Sequence, residues 1–198
     1  MRMQPERLGG FVLRTAAWLP PCLAAWYAVA RYHAVLVGWG ASLLANALSP
    51  QLVSSVEREG ATLQFVTRIV VHPTPDTTGV LVPEVNPLLY TFGIAFFVAL
   101  MLASRSAWWK IALGLLVLLP FQAWGAAFDL LAQLAVRLGP LVSVQAGLMG
   151  WKQEAIALGY QAGSLIFPPV VPVVLWGVFN RPFLERLRSP GRTQALSP

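Results

Sequence analysis

Three polar residues stand four apart late in the chain: Asp129, Gln133 and Arg137. On a helix, positions i, i+4 and i+8 form one stripe. Gln122 lies seven residues before Asp129 and shares that face. A carboxylate, two carboxamides and a guanidinium in line can relay a proton or border a polar path. The same set also makes a plain helix-end stripe, with Asp129 and Arg137 bridged through Gln133 and hydrated. We adopt the second reading, because charged groups near a membrane surface lose little hydration. A weaker stripe is Glu154, Gln161 and Ser164, with Tyr160 beside it. Two such stripes facing each other would hydrogen-bond across a helix pair, at roughly 0.6–2 kcal/mol per contact.

Nucleophilic catalysis needs a nucleophile beside a base. The single cysteine, Cys22, lies in an apolar, proline-containing run, and the only histidines, His33 and His72, are expected away from it. None of the recognised catalytic or phosphate-cradling motifs is present. A carboxylate site on Asp129, Glu84 or Glu154 is the remaining catalytic option, and no constellation is assembled around it. The expectation is a protein that is not an enzyme, with no cofactor and no metal.

The elements that position these residues follow from composition. Of 198 residues, 57% are hydrophobic and 11% charged, and the mean hydropathy is +0.63. A soluble domain carries roughly 25% charge. So much apolar surface requires lipid as solvent. We expect an all-α membrane protein with about four transmembrane helices and a small β element. The whole chain, 1–198, would form one integral membrane domain.

The first apolar stretch runs from Thr15 to about Ala30. Ala28-Val29-Ala30 has the look of a signal-peptide cleavage site, but Pro20-Pro21 and the aromatic Trp18, Trp26 and Tyr27 favour an uncleaved anchor. Residues 34–48 are apolar but short; they either continue the first helix after a bend or lie in the interface. Residues 88–104 carry no charge, residues 111–128 contain Pro120 as an expected kink, and the last span, about 155–179, is interrupted by Pro168-Pro169 and Pro172. Residues 141–153 read as a mixed loop or short helix.

Residues 51–86 differ from the rest. Leu63, Phe65, Ile69 and Val71 fall on one face at period two, with Thr67 between them, and Glu59-Gly60 and Pro73 to Asp76 are turn chemistry. We expect strands at roughly 52–58, 61–71 and 78–83, inserted between the first and second spans. Short strands alone are marginal in water. This element therefore needs cover from the bundle or from a partner, and Leu63, Phe65, Glu84, Asn86 and Tyr90 are the candidate partner-binding residues. Asn86 and Pro87 also suit the start of the next helix.

Charge gives the orientation. The termini and the 105–110 turn hold nine basic residues against two acids, and the opposite side holds five against six. Lys/Arg-rich short segments stay in the cytoplasm. Both termini are therefore expected inside, and the β segment on the periplasmic face of a bacterial inner membrane. Basic residues placed this way are topology signals, and no run of them is interleaved with aromatics as a nucleic-acid groove needs. Nucleic acid is not an expected partner; membrane lipid is.

Seven stretches carry a resemblance: WLPPCLAAWY (18–27), GATLQFVT (60–67), LVPEVNPLLYTFG (81–93), WWKIALG (108–114), LLPFQAWGAAFD (118–129), GWKQEAIALGYQAGSLIFPPVVPVVLW (150–176) and FNRPFLE (179–185). Together they cover most of the chain, which resembles the exosortase H-associated membrane proteins. The resemblance implies a bacterial inner-membrane protein paired with an exosortase, a multi-span cysteine transpeptidase that processes proteins bearing C-terminal sorting tails. It supplies no catalytic residues for this chain. The expected function is that of a non-catalytic accessory or assembly subunit. The alternative is a subunit of a small transporter or channel whose polar stripes border a path.

Overall fold

The computed structural model describes residues 8–74 and 76–188. Helix α1, Leu8–Leu48, is 41 residues long and runs through Pro20 and Pro21. Residues 34–48 thus continue the first helix. Small residues explain why it stays close to its neighbours. Ala34, Gly38, Ala41 and Ala45 recur at helical spacing and are all buried. A Cβ at Gly38 would meet Val56 Cγ1 at 3.0 Å, and one at Gly40 would meet Ala123 at 2.7 Å.

The strands follow: β1 Val53–Glu59, β2 Thr62–Thr67, β3 Val70–Thr74, β4 Thr77–Val80 and β5 Glu84–Val85. They form an antiparallel sheet ordered β1-β2-β5 and a separate β3-β4 hairpin. The second expected strand is divided near Arg68, the third ends at Val80, and a short further strand, β5, follows it. Between the two ladders, Thr67 N–H donates to Leu81 C=O (3.1 Å) and Leu81 N–H to Ile69 C=O (2.9 Å), so the ribbon stays joined. The Asn46 carboxamide brackets Val53, donating to its C=O (3.1 Å) and accepting from its N–H (2.9 Å). This pins the first strand to the end of α1.

The next helices are α2 Leu88–Thr91 and α3 Gly93–Ala103, and Asn86 Oδ1 accepts from Leu88 N–H (3.0 Å) at the entrance to them. Helix α4, Trp108–Ala132, contains Pro120 and passes directly into a wide π-helical turn, Gln133–Arg137. Helix α5, Pro140–Gln145, fills part of the stretch expected as loop or short helix. Helix α6, Trp151–Gln161, a second wide turn, Ala162–Ile166, and α7, Phe167–Phe179, make one long broken segment, followed by α8, Arg181–Arg188. Its break falls just ahead of Pro168 and Pro169, whose missing N–H groups cannot close ordinary turns.

Among the described residues, three helical segments are long and apolar enough to cross a membrane: Leu8–Leu48, Trp108–Arg137 and Trp151–Phe179. Leu88–Ala103 is a shorter apolar helix. The main core joins the sheet to the bundle. Leu63, Phe65, Ile69 and Val85 from the strands pack with Val37 and Ala41 of α1 and with Leu130, Leu131 and Leu134 of the α4 segment. At the other end, Phe11 stacks on Trp176 (centroids 5.1 Å apart) and meets Phe183 (5.2 Å). The start of α1, the turn before α4 and the end of α7 therefore share one end of the bundle, and the sheet caps the opposite end.

Candidate functional site

The polar stripe on α4 meets the sheet end of the bundle. Asp129 is only 7% exposed. Arg137 Nη1 donates to its Oδ1 at 3.3 Å, and the buried Tyr90 phenol lies beside the same carboxylate. The Arg137 guanidinium also lies 4.9 Å from the centre of the Tyr160 ring. A cation over an aromatic face is attracted by the ring quadrupole. Asp129, Arg137, Tyr90 and Tyr160 thus form one cluster drawn from α2, α4 with its wide turn, and α6.

Gln133 does not bridge Asp129 to Arg137, as the spacing suggested. Its Nε2 donates instead to the Glu84 carbonyl at 2.9 Å. The reason is the wide turn that begins at Gln133. Residues i and i+8 of an α-helix lie about 12 Å apart along its axis. A wider turn, marked by the i→i+5 bond from Leu138 N–H to Gln133 C=O (2.9 Å), advances less per residue and brings Arg137 back over Asp129. Gln133 is then free to fasten the bundle to β5. Gln153 Nε2 reaches the Ala135 carbonyl at 2.7 Å and satisfies a group inside the same turn.

Close packing holds the cluster in place. A Cβ on Gly125 would overlap the Tyr90 ring, and one on Gly163 would lie 2.8 Å from Gly125 Cα. Trp124 Nε1 donates to the Gly159 carbonyl (3.1 Å). Small residues at helix crossings let backbones approach where lipid gives no hydrophobic drive. Glu154 and Gln161 stand outside this arrangement. Both are exposed and neither joins the Asp129 cluster. Contacts across the two helices run instead through Gln153, Tyr160 and the Gly159 carbonyl, one or two positions before Glu154 and Gln161. Ser164 Oγ returns to the Tyr160 carbonyl (2.7 Å).

Gln122 is buried and pairs with His33, whose Nε2 lies 2.5 Å from Gln122 Oε1. His33 on α1 was missed because one histidine in an apolar helix carries no periodic signal. A second unforeseen polar knot lies at the opposite end of the bundle. Ser106 Oγ donates to Asn180 Oδ1 (2.7 Å), Asn180 Nδ2 to the Trp176 carbonyl (3.0 Å), and Trp176 Nε1 to Ser104 Oγ (3.1 Å). Lys110 Nζ closes on the Phe179 carbonyl (2.9 Å).

Of the candidate partner-binding residues, Leu63, Phe65 and Tyr90 are buried in the chain's own core, with Phe65 at 0% exposure. The bundle itself supplies their cover. Glu84 faces outward. The register aligns Glu57, Gln64 and Glu84 across β1, β2 and β5. Gln64 Nε2 donates to Glu84 Oε1 (3.1 Å) and also bonds the Glu59 carboxylate. The exposed face of the sheet is therefore a row of acids bridged by one carboxamide.

Nothing in these clusters pairs a nucleophile with a base. The Asp129 carboxylate is engaged by Arg137, and Cys22 is buried against α3 with Ala95 and Ala99. Among the described residues no three His, Cys, Asp or Glu side chains are grouped to hold a metal ion. What the arrangement does is fasten: sheet to α4, α1 to α4, and the ends of α3 and α7 to each other. No curated protein and no solved structure matches the chain. The comparison with known families matches residues 5–183, nearly the whole length, to the exosortase H-associated membrane proteins. The chain is a member of that exosortase H-associated membrane protein family.

Proposed function

We propose that this protein is a non-catalytic accessory or assembly subunit of a bacterial inner-membrane exosortase sorting system. The observation that carries the reading is the family match over residues 5–183. Both termini are cytoplasmic in this reading, and the sheet stands on the periplasmic side, in keeping with the charge distribution. The internal polar groups are engaged in holding helices together, as a scaffold requires. The contact face for the exosortase is the acidic row of Glu57, Glu59 and Glu84, which can meet basic groups of the partner. Leu63, Phe65 and Tyr90 support that face from beneath, and Asn86 fixes the joint at its edge.

Co-expression with the exosortase tests the proposal. Pull-down through a tag on this chain should recover the transpeptidase. The double substitution Glu57→Lys with Glu84→Lys should weaken recovery while membrane insertion and melting stay unchanged. Equal recovery from the double variant would move the contact into the membrane. No recovery from the unaltered chain would remove the accessory reading.

A further inference from the structure

A crevice of about 250 Å³ opens where the end of α1, the start of β1, the β2–β3 link and the end of α5 meet. Its lining includes Ser49, Gln51, Arg68 and Gln145. Arg68 and Gln145 are exposed, and among the described residues Arg68 has no carboxylate within ion-pair distance. Its side-chain partner is a carboxamide: Arg68 Nη1 donates to Gln51 Oε1 at 2.6 Å.

Gln51 holds that position at a cost. Its φ is +62°, in the left-handed region. For a residue other than glycine this costs roughly 1–2 kcal/mol. Such strain persists where surrounding structure enforces it, and it clusters at binding sites. Here the unusual backbone aims Oε1 at the guanidinium and fixes Arg68 at the crevice. One nitrogen is held and the other donors of the planar fork remain for a ligand.

Several carbonyls at the ends of α1 and α5, which would repel an anion, carry donors. Ser49 N–H donates to the Ala45 carbonyl (2.9 Å), Ser49 Oγ to the Ala146 carbonyl (2.7 Å) and Leu148 N–H to the Ser143 carbonyl (3.0 Å). Next to the crevice the chain is also an open strand. Arg68 N–H donates to the Leu52 carbonyl (3.1 Å), while the Ile69 carbonyl accepts from Leu81 on the other side. Alternation along the strand turns the backbone groups of Val70 toward the side β4 does not occupy, where β1 no longer reaches.

We propose that the crevice binds an extended peptide through a carboxylate held by Arg68 and Gln145, with the peptide main chain running onto the open edge of β3. The guanidinium supplies charge selection, and the strand edge supplies main-chain hydrogen bonds. The proposal is independent of the exosortase reading, because the acidic row used there lies on another part of the sheet.

The test uses the full chain in phosphatidylcholine nanodiscs and two fluorescent hexapeptides, Thr-Val-Glu-Val-Thr-Val and its Gln counterpart, both capped at each end. Fluorescence anisotropy should show saturable binding of the Glu peptide, about tenfold tighter than the Gln peptide. Arg68→Gln should erase the difference between the peptides. Gln51→Gly should leave melting unchanged or raise it, since glycine accepts the positive φ, yet weaken binding of the Glu peptide. A Gln51→Gly protein that binds as tightly as the unaltered one overturns the proposal, as does equal or absent binding of both peptides. If phosphatidylglycerol nanodiscs abolish peptide binding through Arg68, the crevice is a site for lipid phosphate and the proposal also fails.

Discussion

Arg137 Nη1 lies 3.3 Å from Asp129 Oδ1 although eight residues separate them on one continuous helical segment. The wide turn at Gln133–Arg137 makes the pair possible, and its geometry decides what the pair is for. The Arg137 side chain is 50% exposed, so water screens most of the attraction. The Asp129 side chain is 10% exposed and has the buried Tyr90 phenol beside it.

Asp129→Asn should therefore be mild. The carboxamide keeps the side chain's shape and an acceptor oxygen for Arg137, and only a screened charge pair is lost. We expect a loss of about 1 kcal/mol, seen as a drop of a few degrees in detergent melting, with exosortase recovery retained. Asp129→Leu should cost more, because it removes the acceptor for Arg137 altogether and sets an apolar group beside the Tyr90 phenol. Complete loss of function in an Asp129→Asn protein of normal expression and melting would mean a proton path instead.

His33 and Gln122 join α1 to α4 inside the bundle. Once its partner is replaced by leucine, the buried Gln122 or the half-buried His33 is left without this bond. The double variant His33→Leu with Gln122→Leu should consequently lose less stability than the sum of the two single variants. The coupling should be about 0.6–2 kcal/mol. Strict additivity in unfolding titrations would show that the contact contributes nothing.

Gly125 and Gly79 offer a contrast at equal chemistry. A methyl on Gly125 has nowhere to go but into the Tyr90 ring, whereas one on Gly79 meets nothing within 4 Å. Gly125→Ala should destabilise by about 1–3 kcal/mol through overpacking. Gly79→Ala should change melting little. Comparable melting of both variants would contradict the close crossing described here.

Parts of this arrangement were legible in the residues and parts were not, for physical reasons. The alternation of Leu63, Phe65 and Ile69 marked an apolar strand face, because side chains alternate strictly along a strand. It did not say what covers the face; that is a tertiary fact, and the cover is α1 and α4. The i, i+4, i+8 spacing placed Asp129, Gln133 and Arg137 on one stripe. It assumed uniform helical turns, and the wide turn moved Gln133 to Glu84 and brought Arg137 onto Asp129. On α6 the expected polar face was rotated by one residue, so that Gln153 engages the bundle while Glu154 faces away. Residues 34–48 could continue the first helix or lie in the interface, because Arg31 and His33 interrupt the apolar run. His33 is instead taken up by Gln122, and the helix continues to Leu48.

The two ends of the bundle differ in charge, and this sets the final prediction. Arg105, Lys110 and Arg181 lie at the end where Ser106 meets Asn180, together with the first turns of α1. Glu57, Glu59, Asp76 and Glu84 lie in the sheet at the other end. Counted over the chain, the terminal side carries +7 and the sheet side −1, which together give the net +6. Short basic segments resist translocation, so the terminal side should stay in the cytoplasm. Two exposed positions report this cleanly in a Cys22→Ser background: Asp76 at the hairpin tip and Glu185 on α8. In intact spheroplasts, Asp76→Cys should react with a membrane-impermeant maleimide, and Glu185→Cys should react only after lysis. The reverse pattern would place the sheet in the cytoplasm and remove the periplasmic contact face. Reaction of both positions before lysis would put the C-terminal helix and the sheet on one side, which an even number of crossings between them requires.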